Sequence, residues 1–296
     1  MLVRKIALSL ILLLPVSALW SAPDPTQKLV ETDWLAANLN KANIILIDMS
    51  DGTQYQRFHL PGAINLPYEY LTQSKNKVSL SVGQKQIIKL LGQIGITQQT
   101  HVVAYDDMGG LHASRLLWEL EQLGHPNMSL LNGGLVKWIR EGRKLSYHAP
   151  ALHAKTYTPR KTGTEATATL SNVAAQTQDK NSLLLDVRSP EEYTGHPKYP
   201  RTGHIPGARH WQWDQALNID KGFTLHDNSY LKSELAKVGL MDTKQPVIVY
   251  CRSGHRASHT YFTLRQLGYE NVKLYDGSMK EYERQKALPL KMGKQP

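Results

Sequence analysis

Short apolar runs, each closed by a polar side chain, recur along this chain. Ile44-Ile45-Leu46-Ile47 runs into Asp48, Val102-Val103-Ala104-Tyr105 into Asp106, Leu183-Leu184-Leu185 into Asp186, and Val247-Ile248-Val249-Tyr250 into Cys251. Runs of this length, rich in β-branched residues, predict buried strands. Between them lie stretches with helical spacing: 84 to 93, 113 to 123, 231 to 238 and 259 to 267. Around the last, Ala257, Tyr261, Leu264 and Leu267 share one helix face, and Gly268 follows as a stop. Strands alternating with helices predict an α/β fold built on mainly parallel sheets.

The pattern is used twice. His59-Leu60-Pro61-Gly62-Ala63 in the first half answers His204-Ile205-Pro206-Gly207-Ala208 in the second. The strand ending in Asp106 answers the strand ending in Cys251. Leu123-Gly124-His125 answers Leu267-Gly268-Tyr269, and Asn132-Gly133-Gly134 answers Asp276-Gly277-Ser278. The offset is constant apart from one extra residue in the first half after Asp106. His59 and His204 sit in a turn that Pro fixes and Gly permits, which suits packing and hydrogen bonding better than ligation. The expected organisation is one domain over 28–145, a linker over 146–168 containing Pro150, Pro159 and Gly163, and a second domain over 169–296. A length of 296 residues suits two domains.

The N-terminus has a different pattern. Arg4 and Lys5 precede an apolar stretch from Ile6 to Val16, with small residues at Val16-Ser17-Ala18 and again near Ala22. This reads as a cleaved signal peptide over 1–22, too short for a membrane span, and places the mature protein in the periplasm or outside the cell. Composition is that of an ordinary globular protein, 41% hydrophobic and 20% charged. The net charge of +10 is spread out rather than run together. That favours small anionic substrates over nucleic acid.

A single cysteine, Cys251, excludes an internal disulfide, a multi-thiol metal site and a two-cysteine redox pair. Cys251-Arg252-Ser253-Gly254-His255-Arg256 lies between the predicted strand and helix. Such a crossing gathers backbone N–H groups and a helix N-terminus at one point. Arg252 and Arg256 add permanent positive charge. All of these favour the thiolate over the thiol. A structural core cysteine is the plain alternative.

The loop from Cys251 to Arg256 resembles the active-site loop of the rhodanese sulfurtransferases. The Asp, His-x-Pro-Gly-Ala and Leu-Gly features around it resemble a rhodanese domain in both halves. The tandem form is similar to the two-domain thiosulfate and 3-mercaptopyruvate sulfurtransferases, over about residues 28 to 290. Val103-Ala104-Tyr105-Asp106, Ala113-Ser114-Arg115-Leu116-Leu117-Trp118 and Leu131-Asn132-Gly133-Gly134-Leu135-Val136-Lys137-Trp138 carry the likeness in the first half. The resemblance implies two tandem rhodanese-like domains, with the second catalytic and no cofactor or metal required. It implies that Cys251 takes sulfur from a small anionic donor, forms a persulfide and passes the sulfur to a thiophilic acceptor, cyanide serving in vitro. Arg188 matches a substrate-binding arginine of the two-domain family. Arg252 is placed to hold donor oxygens, with Arg256 closing the loop and Ser253 and His255 lining it. Arg252 after the cysteine suits thiosulfate; mercaptopyruvate is the alternative donor.

Asp106 stands where the first half would need its nucleophile, and Asp107 follows it where the second half has Arg252. The first domain is therefore expected to be non-catalytic, with a cradle of the wrong sign for an anion. Arg115 and Trp118 are expected to pair and to pack. Two rival readings remain. Cysteine phosphatases place their arginine six positions after the cysteine, one more than Arg256 here. A non-enzymatic carrier of sulfane sulfur would need the same thiol but no turnover.

Overall fold

A computed structural model describes residues 28–163, 165–176, 182–199 and 201–296. The expected signal peptide lies outside the described residues. The first half forms a five-stranded sheet in the order Leu29–Val30, Met128–Leu131, His101–Tyr105, Ile44–Asp48, Ile64–Asn65. The second repeats it: Thr167–Ala168, Val272–Tyr275, Val247–Tyr250, Leu183–Asp186, Arg209–His210. Every pairing within these two sheets is parallel. Strands His101–Tyr105, Leu183–Asp186 and Val247–Tyr250 are buried along their whole length, which explains their unbroken apolar runs. The fold is α/β, with helices on the sheet faces. Two antiparallel hairpins, Thr72–Lys75 with Val78–Ser81 and Leu217–Asn218 with Thr224–Leu225, stand apart from the sheets.

The register sets the chemistry. Tyr250 pairs with Asp186 and Tyr105 with Asp48, so each buried aspartate lies at the carboxyl end of its sheet beside the strand that enters the loop. The paired histidines behave alike. His59 stacks on Tyr55 at 3.8 Å and His204 on Tyr193 at 3.9 Å. Each also bonds the backbone oxygen of its stacking partner through Nδ1. They are structural, as their turn suggests.

The domains share one core. Leu116, Leu117 and Leu120 of helix Ala113–Gln122 join the same apolar cluster as Ala257, Tyr261 and Leu264 of helix His255–Gln266. Each domain keeps a second cluster on the far face of its sheet. The stretch read as a linker is a strap laid along the first domain. Lys155 N donates to Gly92 O (2.8 Å), Arg160 N to Leu123 O (3.1 Å) and Trp118 Nε1 to Ala166 O (3.2 Å). A Cβ on Gly92 would stand 2.7 Å from Lys155 O, so the strap needs glycine there. The strap ends early, because Thr167–Ala168 already forms the edge of the second sheet.

Candidate active site

Cys251 leaves the strand Val247–Tyr250 and the chain turns through Arg252, Ser253 and Gly254 into the helix His255–Gln266. The helix starts earlier than the apolar spacing predicts, because Gly254 adopts a left-handed conformation (φ +79°) and ends the turn. A side chain there would collide with Asp276 Oδ1, 2.5 Å from the position of a Cβ. Cys251 is buried, 1% exposed. Ser278, which sequence reading overlooked, organises the loop. Its Oγ accepts from Cys251 N (3.2 Å) and Gly254 N (3.1 Å) and donates to Tyr275 O (2.7 Å). Met279 N and Lys280 N close onto the oxygens of Cys251 and Arg252. Ser278 stands where the first half has Gly134, the one visible signal of its role.

The first domain shows what such a loop holds. The buried Asp106 carboxylate accepts four backbone amides: Met108 N (2.9 Å), Gly110 N (2.8 Å), His112 N (2.7 Å) and Ala113 N (2.9 Å). The expectation of a cradle with the wrong sign is therefore corrected. The cradle is present, and the chain fills it with its own anion. Ser114 N to Gly110 O and Ser258 N to Gly254 O, both 2.9 Å, show that the two helices begin alike. The counterparts of His112 and Ala113 are Arg256 and Ala257. Among the described residues their amides have no protein acceptor. They lie in the first turn of the twelve-residue helix His255–Gln266.

The charged neighbours are engaged in different ways. Arg256 makes a bidentate pair with Glu192 (2.6 and 2.9 Å). Arg252 is exposed and pairs with Glu283 (3.1 and 3.3 Å) on the rim. Arg188 is buried. It pairs with Asp186 through Nε and Nη2, and Nη2 also donates to Gly203 O (2.8 Å). Trp211 is core, while Trp213 meets His259 edge-on at 5.1 Å. A cavity of about 720 Å³ lies at the amino end of strand Val247–Tyr250, opposite to Cys251, and has no part in this chemistry. Among the described residues no cluster of three metal-ligating side chains occurs.

The first domain also reaches the site. His112 Nδ1 meets His255 Nε2 at 3.1 Å, and the Tyr68 ring packs tilted against His255 with centroids 4.0 Å apart. Burial, with help from His112, Arg115 and Arg256, pushes His255 down to about 3, so it is neutral and supplies no charge to the loop. Burial pushes the Tyr68 hydroxyl up to about 12, against the pull of Arg115. The buried Arg115 crosses the domain boundary to Asp276 (Nη1 to Oδ1, 2.6 Å), directly beneath Gly254. Sequence spacing holds no signal for a contact between residues so far apart.

Both halves match the family model described as Rhodanese-like domain, over residues 31–141 and 169–285. The chain is 36% identical to a protein of Mycobacterium leprae named "Putative thiosulfate sulfurtransferase", over 90% of this chain and 98% of that one. It is 31% identical to "Sulfur carrier protein TtuD" of Thermus thermophilus, over 90% and 97%. The solved structure of YnjE superimposes with a TM-score of 0.80 at 21% identity, covering 90% of this chain and 68% of that one. Wild-type EanB gives 0.80 at 22% identity, covering 92% and 71%. At such identities the structures bear on the fold alone. Two matched domains, their shared strand order and the relatives together place this chain in the rhodanese family.

Proposed function

We propose that the protein is a thiosulfate sulfurtransferase working through a persulfide on Cys251. The observation that carries this is the pair of cradles. The amides that grip the Asp106 carboxylate have counterparts in the loop after Cys251, where the side chain is a thiol; Ser278 takes the Gly254 amide, and those of Arg256 and Ala257 have no protein acceptor among the described residues. Amides aimed at a point in a buried, low-dielectric site stabilise an anion there strongly. Thiolate and persulfide are both anions of that kind.

The Cys251 thiolate attacks the outer sulfur of thiosulfate. A new sulfur–sulfur bond forms, the bond to the sulfonate sulfur breaks, and sulfite leaves with the electron pair. Cyanide then attacks the terminal sulfur of the persulfide, thiocyanate departs, and the thiolate is restored. Arg252 is the donor-binding side chain. Its exposed pair with Glu283 is worth about 0–1 kcal/mol, whereas a charge-assisted bond to a sulfonate oxygen is worth roughly 1.5–3 kcal/mol. Exchange of partners therefore favours the donor. Arg188 is committed to Asp186, and parting a buried pair costs about 3–5 kcal/mol, so it steadies the strand end instead of reaching for substrate. Export to the periplasm or beyond completes the proposal, supported by the pattern of residues 1–22. N-terminal sequencing of the mature protein tests it.

A second reading, sulfur carriage without turnover, draws support from the relative named as a carrier. Thiocyanate formation from thiosulfate and cyanide separates the two. Turnover abolished by Cys251→Ala supports the enzyme. A persulfide that forms but resists cyanide supports the carrier. Turnover with 3-mercaptopyruvate alone would change the donor.

A further inference from the structure

Contacts between the domains come in matched pairs, and one pair is unequal. Asp276 Oδ2 accepts from Ser81 N (2.7 Å) in the opposite hairpin, and Asn132 Oδ1 accepts from Leu225 N (2.8 Å) in the other. The helix residue facing Asp276 is Arg115. Its counterpart in the second helix is His259, since Ala113-Ser114-Arg115 answers Ala257-Ser258-His259. Arg115 grips Asp276 through both terminal nitrogens, Nη1 to Oδ1 at 2.6 Å and Nη2 to Oδ2 at 3.2 Å. His259 bonds Gly109 O through Nε2 (3.1 Å) and, among the described residues, makes no bond to Asn132. Its Nδ1 is buried without a partner. Of these two matched positions, the one on the side of the cysteine carries a two-point strut across the domain boundary and the other does not, among the described residues.

The strut bears on the loop directly. The position of a Cβ on Gly254 is 2.5 Å from Asp276 Oδ1 and 3.2 Å from Arg115 Nη1, so the loop rests on the pair. Two residues beyond Asp276, Ser278 holds the amides of Cys251 and Gly254. A planar guanidinium bonded at two points fixes the orientation of its carboxylate as well as its position. We propose that Arg115, carried by the domain without the cysteine, is a positioning residue for the Cys251 loop, acting through Asp276 and Ser278. The proposal rests on Cys251 being the sulfur-carrying group. It gives the first domain a part in catalysis without contact with substrate.

The double variant Arg115→His/Asp276→Asn tests it, because it installs the pair native to the other side of the same interface. With a neutral histidine the net charge there is unchanged. Native protein, the double variant and Asn132→Ala are compared in kcat and KM for thiosulfate, in the rate of Cys251 alkylation by iodoacetamide at one pH, and in Tm. The double variant is expected to lose about tenfold in kcat, with KM within about twofold, and to alkylate several-fold more slowly. Asn132→Ala, which loosens the matching contact away from the cysteine, is expected to lower Tm and leave both rates native. Arg115→Lys, keeping charge without the two-point fork, is expected to be intermediate in kcat, and it serves if the double variant does not fold. Native kcat and alkylation in either Arg115 variant would overturn the proposal. Equal slowing by Asn132→Ala would reduce the strut to general support. Alkylation needs no sulfur transfer, so it decides the matter even if thiosulfate is not the donor.

Discussion

Ser278 takes a left-handed conformation, φ +49°, that its counterpart Gly134 adopts at φ +50° without a side chain to strain. The conformation costs a non-glycine residue about 1–2 kcal/mol. Two buried amides left without an acceptor would cost about 1–3 kcal/mol each. The hydroxyl therefore outweighs the strain. Ser278→Gly should lower the free energy of unfolding by roughly 1–3 kcal/mol, read from urea midpoints, and slow thiocyanate formation. At this scale the sequence is legible where chemistry is local. Cys251, the loop and its arginines stand together in the chain. The partners of Ser278, of Arg252 at Glu283 and of Arg256 at Glu192 are remote in sequence and were set by the fold.

The two strand-loop-helix crossings are one element with two fillings. Both place a helix start beside the residue that follows the strand. In one that residue is a carboxylate with four donors, in the other a thiol. Asp106→Ala would leave four amides, two of them buried, without their acceptor. The expected loss is roughly 3 kcal/mol or more, measured by chemical denaturation. An equal loss from an unrelated buried substitution would not discriminate; recovery with Asp106→Asn, which restores part of the acceptor capacity, would. The strands, the repeat and the helix stops were legible because apolar runs and Leu-Gly signals are local. The filling of the first cradle was not, since a lone aspartate after a strand reads as repulsion until its amide donors are placed.

Across the whole molecule, the shared core between helices Ala113–Gln122 and His255–Gln266 buries more than apolar groups. Glu119 lies beside Arg115 (3.4 Å from Nε), and burial pushes its carboxyl up to about 7 against the pull of Arg115. A carboxyl raised in the fold contributes stability that is fully present below its ordinary range near 4.5 and lost as pH rises through about 7. Glu119→Gln lacks this titration. Its Tm relative to the native protein should therefore rise between about pH 5 and about pH 8. A constant difference would place Glu119 in its ordinary range. His255 and His259, pushed down to about 3 and about 4 by burial, act oppositely. Their contribution is present above the ordinary histidine range and lost as pH falls through those values, so both variants must be compared at each pH. None of this coupling shows in the sequence, where Arg115 is expected to pair but Asp276 stands in the other domain.

On the proposed mechanism Cys251 holds sulfur as an anion beside the amides of its loop. The most direct measurement is the intact mass of the protein after exposure to thiosulfate and removal of the excess. The account predicts a gain of one sulfur atom, mapped to Cys251, absent in Cys251→Ala and removed by cyanide with release of thiocyanate. No gain of sulfur in protein that still forms thiocyanate, or a gain that persists in Cys251→Ala, would contradict it.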